Sequence, residues 1–113
     1  MNDEIKNLLS NLVVNGKEIP VAHLRYYGDS MTFVTWTIIS EKPLFQANDE
    51  LMYSEIQVDI DVFSDSNYLD IVREIKKRFK SDEWYWLEDS SEMFEEETGL
   101  YHKTITYSKE RKL

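Results

Sequence analysis

The chain has 113 residues, and its 22 acidic side chains outnumber its 13 lysines and arginines, giving a formal net charge of −9. At 42% hydrophobic and 13% aromatic it is too apolar for a disordered tail, and its length suits a single domain over 1–113 with a modest core. The absence of cysteine excludes disulfides, thiolate metal sites and a cysteine nucleophile. No apolar run approaches the roughly 18 residues of a membrane-spanning helix, so no membrane partner is expected. The acidic opening Met1-Asn2-Asp3-Glu4 is unlike a secretory signal. The net charge opposes long-range attraction to nucleic acid and anionic lipid.

In chain order, Ile5, Leu8, Leu9, Leu12 and Val13 fall on one helical stripe, which predicts a helix over 3–14. Asn2 or Asp3 is placed to cap it, and Asn15-Gly16 to end it. A strand is predicted over Val21 to Tyr27, broken by Gly28-Asp29-Ser30, and a second over Thr32 to Ile39. Pro43 is expected to bar a regular continuation, leaving Phe45 to Glu50 as a loop. The strongest strand signal runs from Met52 to Phe63. There Met52, Ile56, Val58, Ile60 and Val62, with Ser54 between them, alternate with Tyr53, Glu55, Gln57, Asp59, Asp61 and Phe63.

Ser64-Asp65-Ser66 stops that strand and supplies a cap for a helix over Asn67 to Lys80. Tyr68, Leu69, Val72, Ile75 and Phe79 form its stripe, and its C-terminal turns are basic. The aromatic "WYWL" at 84–87 leads into an acidic segment that ends at Glu97. Thr98-Gly99 forms a turn, and a last strand covers Leu100 to Ser108. Tyr101, Lys103, Ile105 and Tyr107 share one of its faces and His102, Thr104 and Thr106 the other. Grouped strands with helices set apart predict an α+β domain: a mostly antiparallel sheet of four to five strands, with two helices packed on one face.

Asp59 and Asp61 share a strand face with Glu55 nearby, and carboxylates at i and i+2 can hold a magnesium ion. Neither histidine, His23 or His102, has metal-ligand spacing, so a solvated or interfacial strand face is the simpler reading. No nucleophile elbow, P-loop or dinucleotide fingerprint occurs. Trp84 and Trp86 point the same way at strand spacing and suit a core or subunit contact, because nearby acids would repel a phosphate backbone.

One arrangement is more specific. An opening amphipathic helix is followed by the strand "YSEIQVDIDVFSD", the helix "NYLDIVREIKKRFKS", an aromatic strand and "EEETGLYHKTITYS". This order resembles the small tail terminator (tail completion, or tail-to-head joining) proteins of long-tailed phages and prophages, with its centre in residues 53–108. The resemblance implies an α+β fold of a sheet with two helices and no enzyme activity, cofactor or metal. It implies a ring, usually of six subunits, at the head-proximal end of the tail tube. That ring stops tube polymerisation and joins the tail to the head connector or stopper protein, and DNA passes through its lumen without specific binding. The protein would then reside in the virion tail, and in the host cytoplasm during assembly.

In such a ring each subunit meets the next through a heterologous contact, which opposite charges can hold in register. Between Ser81 and His102 there are eight acids and no lysine or arginine, whereas Arg73 to Lys80 holds five bases. The expected interface residues are therefore Glu95, Glu96 and Glu97 on one side. Lys76, Lys77 and Arg78, or Lys109 and Arg111 in the basic tail, stand on the other. Glu55, Asp59 and Asp61 are the candidate lumen-facing acids. Competing readings are another head–tail neck protein (an adaptor or stopper), an acidic DNA mimic that inhibits a DNA-binding enzyme, and a carboxylate metal enzyme built on Asp59 and Asp61.

Overall fold

The computed structural model describes residues 2–47 and 50–112. The fold is α+β, with two helices and a mostly antiparallel sheet. The sheet is larger than the expected four to five strands. It holds six: β3 (Val21–His23), β4 (Thr32–Ala47), β5 (Glu50–Ser64), β6 (Tyr85–Asp89), β7 (Met93–Glu95) and β8 (Leu100–Lys112). Their order is β3-β4-β5-β8-β6, and β7 pairs with β8 on the same edge as β6. Only β3 and β4 pair in parallel. A separate small hairpin joins β1 (Val13–Val14) to β2 (Lys17–Glu18).

That hairpin corrects the first predicted helix. Helix α1 covers only Asn2–Leu8. Ile5, Leu9 and Leu12 are all buried as the stripe required, but Leu9 and Leu12 follow the helix, and Val13 is exposed. Asn15 and Gly16 both take positive φ, 53° and 77°. This is the left-handed pair that a tight two-residue hairpin turn needs, and it matches the twist of the strands it joins. The Asn-Gly pair thus turns a strand ladder and does not end a helix.

The next strand is shorter than expected, because Leu24 turns left-handed (φ 66°) and ends β3 at His23. β4, by contrast, runs straight through Pro43, and strand structure replaces the predicted loop at Phe45 to Ala47 and at Glu50. Positions 48 and 49 lie outside the described residues. β3 pairs only with Val34 to Trp36, so Pro43 sits on an open edge where its missing N–H breaks no ladder. Register shifts at Ile38/Ser40 and on either side of Phe45 absorb the remaining misfit.

Helix α2 covers Leu69–Ser81, about two residues later than expected at its start. The predicted serine cap is absent: Ser64 stays in β5, and its hydroxyl accepts from the Ser66 N–H at 3.1 Å. Asn67 Oδ1 instead accepts from the Leu69 N–H at 2.9 Å. Within the stripe, Ile71 is buried and Leu69 is exposed. β8 continues four residues past Ser108, so the basic tail is a strand.

A single apolar cluster joins Ile5 of α1 and Ile71, Val72, Ile75 and Phe79 of α2 to Ile56, Val58, Ile60 and Val62 of β5. Both helices therefore cover one face of the sheet. Each fully buried aliphatic side chain contributes about 1.5–3 kcal/mol. The other face carries no helix. Among the described residues no helix is long and apolar enough to cross a membrane.

Candidate functional site

Alternation along β5 sends Asp59, Asp61 and Phe63 to the open face, and antiparallel register sets their neighbours. Phe33, Phe63 and His102 form one row, Thr35, Asp61 and Thr104 the next, and Thr37, Asp59 and Thr106 the third. The first row is an aromatic ladder. Tyr26 stacks on Phe33, Phe33 on Phe63 and Phe63 on His102, with ring centroids 4.5, 4.7 and 4.1 Å apart. Rings stacked on one another across strands point their edges outward, so they stabilise the sheet and offer no flat platform for a sugar or base.

In the next rows the carboxylates accept hydroxyl hydrogens. Thr104 Oγ1 donates to Asp61 at 2.5 Å and Thr106 Oγ1 to Asp59 at 2.6 Å. His102 Nε2 lies 2.8 Å from Asp61, and its Nδ1 lies 4.0 Å from Glu95. Glu55 receives a hydrogen bond from the Gln57 amide at 3.0 Å and has Lys42 at 3.9 Å. Glu110 stands directly across from Glu55. Glu55, Asp59 and Asp61, the three acids singled out from sequence, thus share one helix-free face. Among the described residues, no three acids or histidines are grouped to hold a metal ion.

Most of the paired cations lie on the other face, with Lys42 beside Glu55 an exception. Lys76 meets Asp89 at 2.7 Å and lies over the Trp86 ring, and Lys103 meets the same carboxylate at 3.8 Å. Lys109 binds Glu4 at 2.8 Å and Asp82 at 3.3 Å, and Arg111 also binds Glu4. Arg78 holds Glu74 at 2.9 Å and donates to the Leu8, Ser10 and Asn11 carbonyls. Four of the five expected interface bases, Lys76, Arg78, Lys109 and Arg111, are therefore engaged within their own chain, and Lys77 is exposed. Glu95 ends β7, and Glu96 and Glu97 occupy the exposed turn into β8. Nothing brings these glutamates to the basic residues of α2 or of β8's end within one subunit.

Trp84 and Trp86 do lie on the same side of the sheet. Trp84 is buried edge-on against Phe79, while Trp86 is 55% exposed, with its indole donating to Asp89 at 2.7 Å. Burial alone would raise the Asp89 carboxyl. The hydrogen bonds from Lys76 and Trp86 and the charges of Lys76 and Lys103 outweigh it and hold the group below its ordinary value. Burial pushes the Tyr107 hydroxyl up to about 12, helped by the Asp89 charge. Burial, then the hydrogen bond to Glu92 and the charges of Glu92 and Tyr101, do the same for Tyr68, also to about 12.

A carboxyl lowered in the folded state contributes stability that is complete above its unfolded pKa, about 3.9, and is lost as pH falls through the folded value. Asp89→Asn is therefore expected to lower stability by about 1 kcal/mol at pH 7. The gap from the parent protein should close below about pH 4. Urea midpoints for both proteins at pH 7 and pH 3 check this, and a gap that stays constant with pH would contradict it.

No protein-family model matches the chain, and comparison with curated proteins returns no match. The sequence does not single out Lys17 or Arg25, and it shows Tyr85 and Leu87 only as part of the aromatic segment 84–87. Each is exposed and lies at an edge of the sheet or in the segment beside it, and edge position becomes visible only once strand order is known.

Proposed function

We propose that this chain is a structural subunit that assembles head to tail into a ring and caps the head-proximal end of a phage tail tube. It ends tube polymerisation there and joins the tail to the head. The observation that carries this reading is the line of carboxylates on the helix-free face of the sheet. Glu55, Asp59 and Asp61 lie on the helix-free face, while Lys76, Lys103, Lys109 and Arg111 form ion pairs on the helix side. Asp59 and Asp61 have no lysine or arginine paired with them among the described residues, and Glu55 has Lys42 at 3.9 Å; such a face suits a lumen through which DNA must slide without sticking, since like charge opposes binding to the phosphate backbone. The α+β fold with two helices on one face agrees in outline with the tail terminator resemblance.

In this reading the partners are further copies of the chain, the tail tube protein and the head connector or stopper. No enzymatic step or cofactor is involved. The protein works in the virion, at the head-proximal end of the tail, after assembly in the host cytoplasm.

The test is solution mass by light scattering over a concentration series, first alone and then with tail tubes. The expected result is a discrete species near six subunits, or capture of such a ring on tube ends. A protein that stays monomeric and ignores tail tubes would sink the proposal.

A further inference from the structure

The sheet has two opposite ends that differ in shape and charge. At the β3 end, α1, the chain after it and β3 enclose a cleft of about 580 Å³, within the size range of pockets that take sizeable ligands. Leu9, Ile19, Val21 and Trp36 give it apolar walls, with Lys6 and His23 at its rim. At the other end, β6 exposes Tyr85, Trp86 and Leu87, which are 66%, 55% and 44% accessible. Leu87 is the extra residue of a bulge, because Trp86 pairs with Tyr107 and Glu88 with Thr106. A bulge bends its strand and re-aims a side chain, here at an open edge.

These features lie at the same level of the sheet. His23, Trp36, Ile60, Ile105 and Asp89 form one continuous row, with the cleft at its first residue and β6 at its last. Charges are also matched, three and four rows away along β4. Arg25 lines one surface depression with Phe33, and Lys17 lines another with Thr32; neither has an ion-pair partner among the described residues. Across the sheet, the Thr32 and Phe33 rows end at Phe94 and Met93 of β7, which lead directly into Glu95, Glu96 and Glu97. The long open edge of β4 is a poor alternative. Pro43, Glu41, Lys42 and its register shifts are the devices that keep edge strands from pairing.

We infer that the β6–β7 edge of one copy docks into the β3 end of the next. Trp86 and Leu87 fill the cleft, while Glu95 to Glu97 meet Arg25 and Lys17. The contact is heterologous, since it joins two different surfaces of the same chain, and repeating it closes a ring or builds a filament. This contact rests on the self-assembly part of the proposed function and assigns the acidic turn a partner other than the bases of α2 and β8.

The natural absence of cysteine makes the test clean. Ser10→Cys, on the cleft rim, and Glu88→Cys, beside the projecting side chains, are made as separate full-length variants, mixed, and treated with a short bismaleimide. The expected result is a cross-linked heterodimer from the mixture and only background from either variant alone. A ring-sized mass without that cross-link would overturn this contact and leave the ring reading standing. The cross-link without any closed species would support the contact and count against the ring. A monomer with no cross-link would overturn the contact. As a second measurement, E95K/E96K/E97K is expected to abolish the cross-link and K17E/R25E in the other partner to restore it. Failure of that rescue would remove the charged half of the contact.

Discussion

Phe79→Ala is expected to destabilise the fold by about 3–5 kcal/mol, because the ring is fully buried and its removal leaves a cavity in the core. It stacks on Tyr107 at 4.5 Å between centroids and meets Trp84 edge-on at 5.6 Å, so it joins the end of α2 to β8 and to the segment that enters β6. A domain of this size has only about 5–15 kcal/mol of net stability, so one substitution removes roughly a fifth or more of it. Thermal unfolding should fall by roughly 15–25 °C. Chemical denaturation followed by tryptophan fluorescence would check the value. A loss below about 1 kcal/mol would mean that the α2–β8 packing differs from that described.

Arg78→Met should have the next largest effect, about 1.5–3 kcal/mol, through the loss of charged hydrogen bonds. The guanidinium Nη1 reaches the Leu8 and Ser10 carbonyls at 3.2 and 2.6 Å, Nη2 reaches Asn11 at 3.0 Å, and Nε reaches Glu74 at 2.9 Å. With seven residues, α1 is far too short to persist by itself, and a single side chain from α2 satisfies the carbonyls of its last turn and of the chain beyond. Methionine keeps the apolar stem and removes the fork. Lysine keeps the charge but offers a point donor, so Arg78→Lys is expected to recover less than half of the loss. Because Leu9, Ser10 and Asn11 also line the cleft at the β3 end, the same substitution should weaken association between copies more than Phe94→Ala does. Urea midpoints and hydrogen exchange over residues 5–12 would read the first effect, and light scattering the second. Unchanged exchange there would show that α1 is held by its apolar contacts alone.

Much of this fold was legible because its signals are local. The alternation from Ser54 to Phe63 assigns each side chain in that span to the correct face. The spacing of Val72, Ile75 and Phe79 likewise identified the buried side of α2. The errors share a cause. Ile5, Leu9 and Leu12 fit a helix equally well whether the chain continues helical or turns, so periodicity overran the true end of α1. Pro43 suggests a stop, but β3 pairs only with Val34 to Trp36, so one side of β4 is open at the proline. The charged residues were the least legible. Lys76, Lys109 and Arg111 look available in the sequence, yet their partners Asp89, Asp82 and Glu4 come from β6, the end of α2 and α1; only Arg78 pairs locally, with Glu74 one turn before it.

By itself the sequence determined the class, the two-faced central strand and the presence of carboxylates on its open face. Each of these follows from periods of two or about 3.6 within a few residues. The tertiary structure alone decided which cations are taken up, which edges stay open and what stands across from what. Ion pairing and edge exposure depend on contacts between residues far apart in the chain; Lys109 and Glu4 meet across nearly its whole length. No local pattern encodes such a distance.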